Sequence, residues 1–108
     1  MTQEEKELLL KDLCARLPYE VMIKGLDKAE PLTIKILAFN MVMSGNLYLP
    51  YLRPMSSMTE EEVNEYNIAI DKDIAPERIV DWYNLHHFDY RGLIEKGLAL
   101  EAPKDMYN

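Results

Sequence analysis

The stretch DWYNLHHFDYRG, residues 81–92, contains the residue types that most often do chemistry in proteins. Two adjacent histidines, two aspartates, one arginine and four aromatic rings fall within twelve positions. Imidazole and carboxylate groups serve as metal ligands and as general acids or bases. The stretch therefore raises two hypotheses at once, a metal site and a catalytic site.

The spacing of the two histidines argues against a metal site. Successive helical residues project about 100° apart, so His86 and His87 cannot both face one ion on an unbroken helix. A metal-binding helix normally places its ligands at i and i+4. Only His86 and Asp89 are spaced to share an ion, and the chain has no third histidine and one cysteine. We therefore predict no metal and no other cofactor.

The sequence lacks the motifs that usually accompany a histidine and an aspartate in a catalytic site. A His–Asp pair activates a nucleophile, and none of the three serines stands in a G-x-S-x-G context. The four glycines are not grouped, so no phosphate-binding loop is predicted. One hypothesis of an enzyme or a small-ligand-binding protein stays open, in which a pocket is surrounded by Arg53, His86, His87 and Asp89.

A packing role explains the stretch more simply. Trp82 and His86 are i, i+4 neighbours and would pair on one helix face. Asp89 would cap a turn that begins at Tyr90, and Arg91 would pair with an acid on a neighbouring helix. Aromatic residues and arginine are also the usual anchors of protein–protein interfaces. The residues predicted to contact a partner protein are Arg53, Trp82, His86, His87, Asp89, Tyr90 and Arg91.

Arg53 is a second residue of interest. Pro54 follows it and holds its backbone extended. It is one of six bases in a half of the chain, residues 51–108, that carries twelve acids. We predict that Arg53 ties its linker to a carboxylate in the helix over residues 60–65, with ligand binding as the alternative.

The elements that position these residues begin with an amphipathic helix. Thr2 and Glu5 have the spacing of a capping box, and apolar residues recur at helical spacing until Pro18 ends the helix. Cys14 lies on the apolar side of this pattern, so we predict a buried thiol without nucleophilic character. Asp12 is assigned to the polar side.

Residues 19–52 predict a three-stranded antiparallel meander. YEVMIKG alternates apolar and polar residues, and LTIKILAFNMVM reads as a strand that is apolar on both faces. SGN at 44–46 is a hairpin signal, and LYLPYL would return as the third strand. Pro50 confines that strand to an edge or a kink, so the meander is expected to curl.

The strongest local signal in the chain is MTEEEV at 58–63. Thr59 and Glu62 have capping-box spacing, and Pro76 suits the first position of a further helix. A short turn would end at Gly97. After it, LALEAP would form a strand and KDMYN a frayed end.

These elements predict an α+β fold. Its parts are an N-terminal helix, a curled three-stranded antiparallel meander and two to three C-terminal helices. The 108 residues have room for a single domain over residues 1–108.

Charge and hydropathy narrow the classes of function. The net charge is −7, and six bases against twelve acids place −6 of it in residues 51–108. Such a field repels phosphate backbones, so we expect no direct nucleic-acid binding, although an acidic nucleic-acid mimic remains an alternative. The N-terminus has no basic, apolar leader, and no apolar run approaches about 20 residues, so we expect a cytoplasmic protein without membrane contact.

Two blocks resemble a known group of sequences. PYLRPMSSMTEEE (50–62) and DWYNLHHFDYRGLIEKGLALEAP (81–103), together with LLLKDLCARLPYEVMIKG (8–25), resemble a family of small uncharacterised proteins from Bacteroides-type gut bacteria and their phages. The resemblance covers about half the chain and implies no reaction or ligand. Relatives have longer strand regions, which implies a shortened meander here. The leading hypothesis is a small non-catalytic protein-interaction module of bacterial or prophage origin.

Overall fold

A computed structural model gives the fold and describes residues 2–25, 27–42 and 48–107. Within these ranges the chain forms four α-helices and four short strands, so the predicted mixture of helix and strand is confirmed. In chain order the elements are α1 (Gln3–Arg16), β1 (Met22–Lys24), β2 (Ala29–Pro31), α2 (Ile34–Val42), β3 (Tyr51–Leu52), α3 (Glu60–Asp71), α4 (Pro76–Leu85) and β4 (Leu100–Glu101). Two 3-10 turns lie at Leu17–Tyr19 and Met55–Ser57.

The predicted capping boxes set the starts of two helices. At α1, the Thr2 amide donates to Glu5 Oε1 (2.8 Å), and the Glu5 amide donates to Thr2 Oγ1 (3.1 Å). Thr59 and Glu62 form the same reciprocal pair at α3. Each box satisfies amide donors that the first helical turn leaves unpaired, so these local signals fix the helix starts. Pro76 begins α4, as predicted.

The buried face of α1 differs from the predicted one. Asp12 and Arg16 are fully buried beside Leu9 and Leu13, whereas Cys14 is exposed. The predictions of a buried thiol and of a solvent-facing Asp12 were wrong. The buried ion pair between Asp12 and Arg16 occupies two positions of the helix face that packs on the core. Cys14 therefore lies on the exposed face.

Within the predicted strand LTIKILAFNMVM, Ile34–Val42 form the helix α2 instead. The Thr33 hydroxyl accepts a hydrogen bond from the Ile36 amide (3.2 Å), which caps the first turn. Leu32 and Leu37, on either side of that cap, are both buried, as in a hydrophobic staple. A run that is apolar at nearly every position is compatible with both the two-residue period of a strand and the 3.6-residue period of a helix. Here the cap at Thr33 selects the helix. The hairpin signal at 44–46 lies outside the described residues.

The three-stranded meander is also wrong, because the strands form two two-stranded sheets. β1 and β2 pair antiparallel, whereas β3 pairs in parallel with β4, with Tyr51 opposite Leu100. The predicted strand in LALEAP is thereby confirmed as β4. The Lys24 amide donates to the Leu49 carbonyl (2.9 Å), and Ile23 bridges Pro50, so β1 also contacts the approach to β3.

An apolar core joins α1, α2 and the strands. Its members come from both halves of the chain, which shows that the two sheets share one core. The buried core residues are Leu9, Leu13, Val21, Ile23, Leu32, Leu37, Leu52, Leu93, Leu98 and Ala99.

Candidate functional site

The Glu62 carboxylate, at the start of α3, brings together two of the predicted partner-binding side chains, Arg53 and His86. Glu62 accepts two hydrogen bonds from the Arg53 guanidinium (2.7 and 2.8 Å), as the sequence predicts. His86 Nδ1 lies 3.2 Å from Glu62 Oε2, and the Thr59 amide donates to Oε1 (2.9 Å). The hydrogen bonds from Arg53 are the main cause that lowers the pKa of Glu62 to about 2. Glu62 therefore stays ionised and fixes Arg53 in place.

Aromatic rings pack around this carboxylate. The Arg53 guanidinium lies 4.3 Å from the centroid of Phe88, a fully buried ring. Trp82 stacks on Phe88 (5.6 Å) and packs against His86 (4.6 Å), which is the predicted i, i+4 pair. The Trp82 indole N–H donates to Glu65 Oε2 (3.1 Å). Trp82 is thus held in one orientation by contacts on several sides.

A tight reversal after α4 brings these groups together. The helix ends at Leu85, and His87 has a φ of 63°, in the left-handed region that non-glycine residues seldom adopt. The Arg53 amide donates to the His87 carbonyl (2.8 Å), and the Asp89 amide donates to the Arg53 carbonyl (2.8 Å). The reversal therefore adds a strand-like bridge to the end of β3.

His87 stacks on Tyr107, in the C-terminal tail. The two ring centroids are 3.7 Å apart and the planes are inclined by 17°. Burial is the main cause that lowers the pKa of His87 to about 4, so the ring is neutral at pH 7. Tyr107 donates its hydroxyl proton to the Tyr51 carbonyl (2.6 Å) and accepts from the Met22 amide (2.9 Å). The tail is therefore anchored at Tyr107, and the predicted frayed end was wrong there.

Asp89 caps the following turn, as predicted. Its two carboxylate oxygens accept from the Leu93 amide (2.8 Å) and the Ile94 amide (3.0 Å). Asp89 is buried, so these two hydrogen bonds satisfy a carboxylate that has little access to water. The turn ends at Gly97, whose φ of 74° provides the expected left-handed stop.

Tyr90 and Arg91 belong to a separate cluster on α1. Arg91 Nε donates to Asp12 Oδ1 (3.1 Å), the predicted pairing with an acid on another helix. The other Asp12 oxygen accepts from Arg16 Nε (2.7 Å), and Arg16 Nη2 donates to the Phe88 carbonyl (2.7 Å). The Tyr90 ring lies within 5.2 Å of the guanidinium carbons of both arginines. Asp12 and Arg16 are the members that sequence reasoning missed, although their i, i+4 spacing was visible.

One surface depression lies beside Arg53 and another lies beside Trp82. We define the tail cleft, of about 490 Å³, as the depression between Arg53, the 3-10 turn at Met55–Ser57 and the segment Glu101–Tyr107. The α3–α4 groove, of about 150 Å³, lies between those two helices. It is lined by Glu65, Tyr66, Ala69, Ile74, Arg78, Ile79 and Trp82.

The described part of the chain has neither a metal-binding group of side chains nor a helix that could span a membrane. Among residues 2–25, 27–42 and 48–107, no three or more His, Cys, Asp or Glu side chains are grouped so that they would hold a metal ion. In the same part of the chain, none of the helices has the length and apolar character needed to cross a bilayer.

Comparisons with known proteins gave no relative. No protein-family model, no curated protein and no solved structure matches this chain.

Proposed function

We propose that this protein is a non-catalytic interaction module that binds another protein through the α3–α4 groove. The observation that carries the proposal is an apolar groove of about 150 Å³, walled by Tyr66, Ile74, Ile79 and Trp82. An apolar cavity of about 150 Å³ is large enough to bind a benzene molecule. The groove therefore suits one aromatic or branched aliphatic side chain from a partner.

The walls of the groove are held in place before any partner binds. Trp82 is fixed by its hydrogen bond to Glu65 and by stacking on Phe88. The Tyr83 hydroxyl donates to the Tyr66 hydroxyl (3.0 Å), which ties α4 to α3. A rigid aromatic wall loses little conformational entropy on binding, and tryptophan and tyrosine are the commonest interface anchors.

Charge at the rim indicates which partner would fit. Glu65 and Arg78 both line the groove and are both exposed. A partner segment that has an apolar side chain between a base and an acid would pair its base with Glu65 and its acid with Arg78. The excess of acids in residues 51–108 would favour a partner surface that is basic overall.

The interior contacts of the remaining groups support a non-catalytic role. Arg53 is paired with Glu62, and Asp89 accepts two backbone amides. Arg91 is paired with Asp12. Arg53, Asp89 and Arg91 are therefore each paired with another group of the fold. With the resemblance described above, we propose a bacterial or prophage protein of the Bacteroides-type family.

Affinity capture tests the proposal when variants of the groove are compared. Tagged wild type is used to capture proteins from the lysate of a Bacteroides-type gut bacterium, in parallel with Ala69→Leu, which fills the groove. Asn67→Leu, which adds a leucine to an exposed position of α3 outside the groove, is the matched control. We expect a protein that is captured by wild type and by Asn67→Leu but reduced at least tenfold, or about 1.4 kcal/mol, with Ala69→Leu, because the added side chain occupies the groove. Equal capture by all three would contradict the proposal.

A charge variant guards against a folding defect in Ala69→Leu. Arg78 is exposed, so Arg78→Glu keeps the fold while reversing one rim charge. Lys72→Glu, which reverses another exposed base outside the groove, is its control. Loss of capture with Arg78→Glu alone supports the groove, and loss with both variants points to non-specific charge attraction.

The tail cleft favours small-ligand binding as a second candidate function. Its volume of about 490 Å³ lies within the range of about 300–1,000 Å³ typical of ligand pockets. Arg53, Ser57 and Thr59 line it together with Tyr107. Backbone NMR spectra recorded while small carboxylates and sugars are added test this candidate. Saturable shifts at Ser57 and Thr59 would support it, and unchanged spectra would count against it.

A further inference from the structure

Two residues that line the tail cleft, Arg53 and Tyr107, carry flat groups that are already stacked on another ring. The Arg53 guanidinium lies 4.3 Å from the centroid of the buried Phe88 ring. The Tyr107 ring stacks on His87 with centroids 3.7 Å apart. One face of each flat group is therefore covered within the fold.

The hydrogen-bonding edge of the Arg53 guanidinium is occupied by the fold. Nη1 donates to Glu62 Oε2 (2.8 Å) and to the His86 carbonyl (3.5 Å), and Nη2 donates to Glu62 Oε1 (2.7 Å) and to the Ser57 carbonyl (3.1 Å). A guanidinium has five N–H donors, so four of them are used. The Arg53 side chain is still 21% exposed. Since Phe88 covers one face, the group offers a ligand its opposite face.

The polar end of Tyr107 is likewise committed to the fold. Its hydroxyl accepts from the Met22 amide (2.9 Å) and donates to the Tyr51 carbonyl (2.6 Å). A ligand in the tail cleft therefore meets the hydrocarbon part of the Tyr107 ring and not its hydroxyl. Both flat groups are fixed before a ligand arrives, which lowers the entropy cost of binding.

A guanidinium face and a phenol ring both favour a flat aromatic ligand. Arginine stacks on aromatic rings because its planar cation is weakly hydrated and is attracted to their π electrons. Aromatic rings also pack against one another in offset or edge-to-face arrangements. A saturated ring is puckered and has no π electrons, so it gains neither contact. The hydroxyl side chains of Ser56, Ser57 and Thr59 line the same cleft and suit a polar substituent on the ring.

We propose that the tail cleft binds a flat aromatic ligand with a polar substituent, which stacks on the face of Arg53 opposite Phe88 and packs against Tyr107. This inference rests on the second candidate function, small-ligand binding in the tail cleft, and names the class of ligand. Glu62 already neutralises Arg53, so the attraction comes from the flat face and requires no negative charge on the ligand.

NMR titration of the isotope-labelled protein with two uncharged carboxamides tests the class of ligand. Benzamide is flat, and cyclohexanecarboxamide carries the same polar group on a puckered ring. We expect benzamide to shift the Ser57 and Ala102 amide signals saturably and to move the Arg53 side-chain signals upfield through its ring current. Its affinity should be about fivefold higher than that of cyclohexanecarboxamide, which is the fold-change given by about 1 kcal/mol of stacking on a guanidinium.

A variant that fills the cleft locates the binding. Ala102→Leu places a larger side chain in the cleft, and Asn64→Leu adds leucine at an exposed position of α3 outside it. Benzamide should bind Asn64→Leu like wild type and should lose its saturable shifts with Ala102→Leu.

Three results would overturn the inference. Equal affinity for the two carboxamides would refute the flat class of ligand and leave small-ligand binding in the cleft standing. Binding that persists in Ala102→Leu would place benzamide elsewhere. Unchanged spectra with benzamide would also refute the flat class, and the titrations with carboxylates and sugars would then decide small-ligand binding by themselves.

Discussion

The imidazole of His87 and the phenol ring of Tyr107 stack with centroids 3.7 Å apart. This contact joins the reversal after α4 to the C-terminal tail. The Tyr107 hydroxyl extends the contact to β1 and β3, through the Met22 amide and the Tyr51 carbonyl. A residue from a segment that looks like a polar tail thus connects three distant parts of the chain.

Tyr107→Phe should destabilise the protein by about 1–3 kcal/mol, because it leaves the Met22 amide and the Tyr51 carbonyl without their partner. The ring stack on His87 is kept, so the effect isolates the hydroxyl. Urea unfolding of the two proteins at pH 7 measures it. Tyr19→Phe is the control, since within the described residues the Tyr19 hydroxyl makes no hydrogen bond to protein, and its cost should stay within about 0.5 kcal/mol.

The partly buried ring of His87 should make stability depend on pH in a defined window. Its pKa is about 4 in the folded protein against an ordinary value of 6.5, so the unfolded chain takes up the proton first. Stability is then full above pH 6.5 and falls as the pH drops towards 4.

His87→Phe keeps the stack on Tyr107 and removes the titrating group. Between pH 7 and pH 4.5, we expect the free energy of unfolding of wild type to fall by about 1–3 kcal/mol more than that of this variant. Urea unfolding across that range gives the comparison, and NMR adds a direct check. A His87 ring resonance that titrates near pH 6.5 would show that the ring is not buried in solution.

Glu62→Gln should weaken the fold at neutral pH and change its behaviour in acid. The folded pKa of about 2 lies below the ordinary 4.5, so its stabilising effect is present above pH 4.5 and is lost as the pH falls towards 2. We expect a cost of about 1–3 kcal/mol at pH 7 that disappears by pH 2. Unfolding by urea at both pH values measures it. Glu61→Gln, the exposed neighbour, should cost at most about 0.5 kcal/mol, and an equal loss in both variants would refute the special role of Glu62.

Asp12→Ala should be the most destabilising of these substitutions, at about 3–5 kcal/mol, because it leaves the charge of Arg16 buried without its partner. Replacing both residues, as Asp12→Leu with Arg16→Met, should restore much of that stability, since apolar groups of similar volume can replace a buried pair. Equilibrium unfolding of the single and double variants separates the two effects. Additive losses would mean that the pair is not coupled.

Interactions between near neighbours in sequence were predictable. The capping box of Thr59 and Glu62 lies within one turn, and its spacing specifies its geometry. The pairing of Arg53 with Glu62 followed from one arginine held extended before a run of acids. The cap at Asp89 followed in the same way from its position before a turn.

Features that depend on distant residues were not predictable from patterns. The apolar run of α2 is a different case, because it fits both a strand and a helix, and the local cap at Thr33 selects the helix. The parallel pairing of Tyr51 with Leu100 requires the chain to return past two helices. The sequence around Tyr107 contains no local sign that its hydroxyl would meet Met22 and Tyr51.

The contact between the Met22 amide and Tyr107 spans 85 positions of the chain. Closing so long a loop costs entropy that only the surrounding contacts offset, and loop closure therefore has to coincide with formation of the core. Neither half of the sequence holds all the partners of β1, because β1 contacts β2 on one side and residues 49, 50 and 107 on the other. Melting of the C-terminal tail should thus spread to β1 and the core, so that the ends and the centre of the fold unfold together as one cooperative unit.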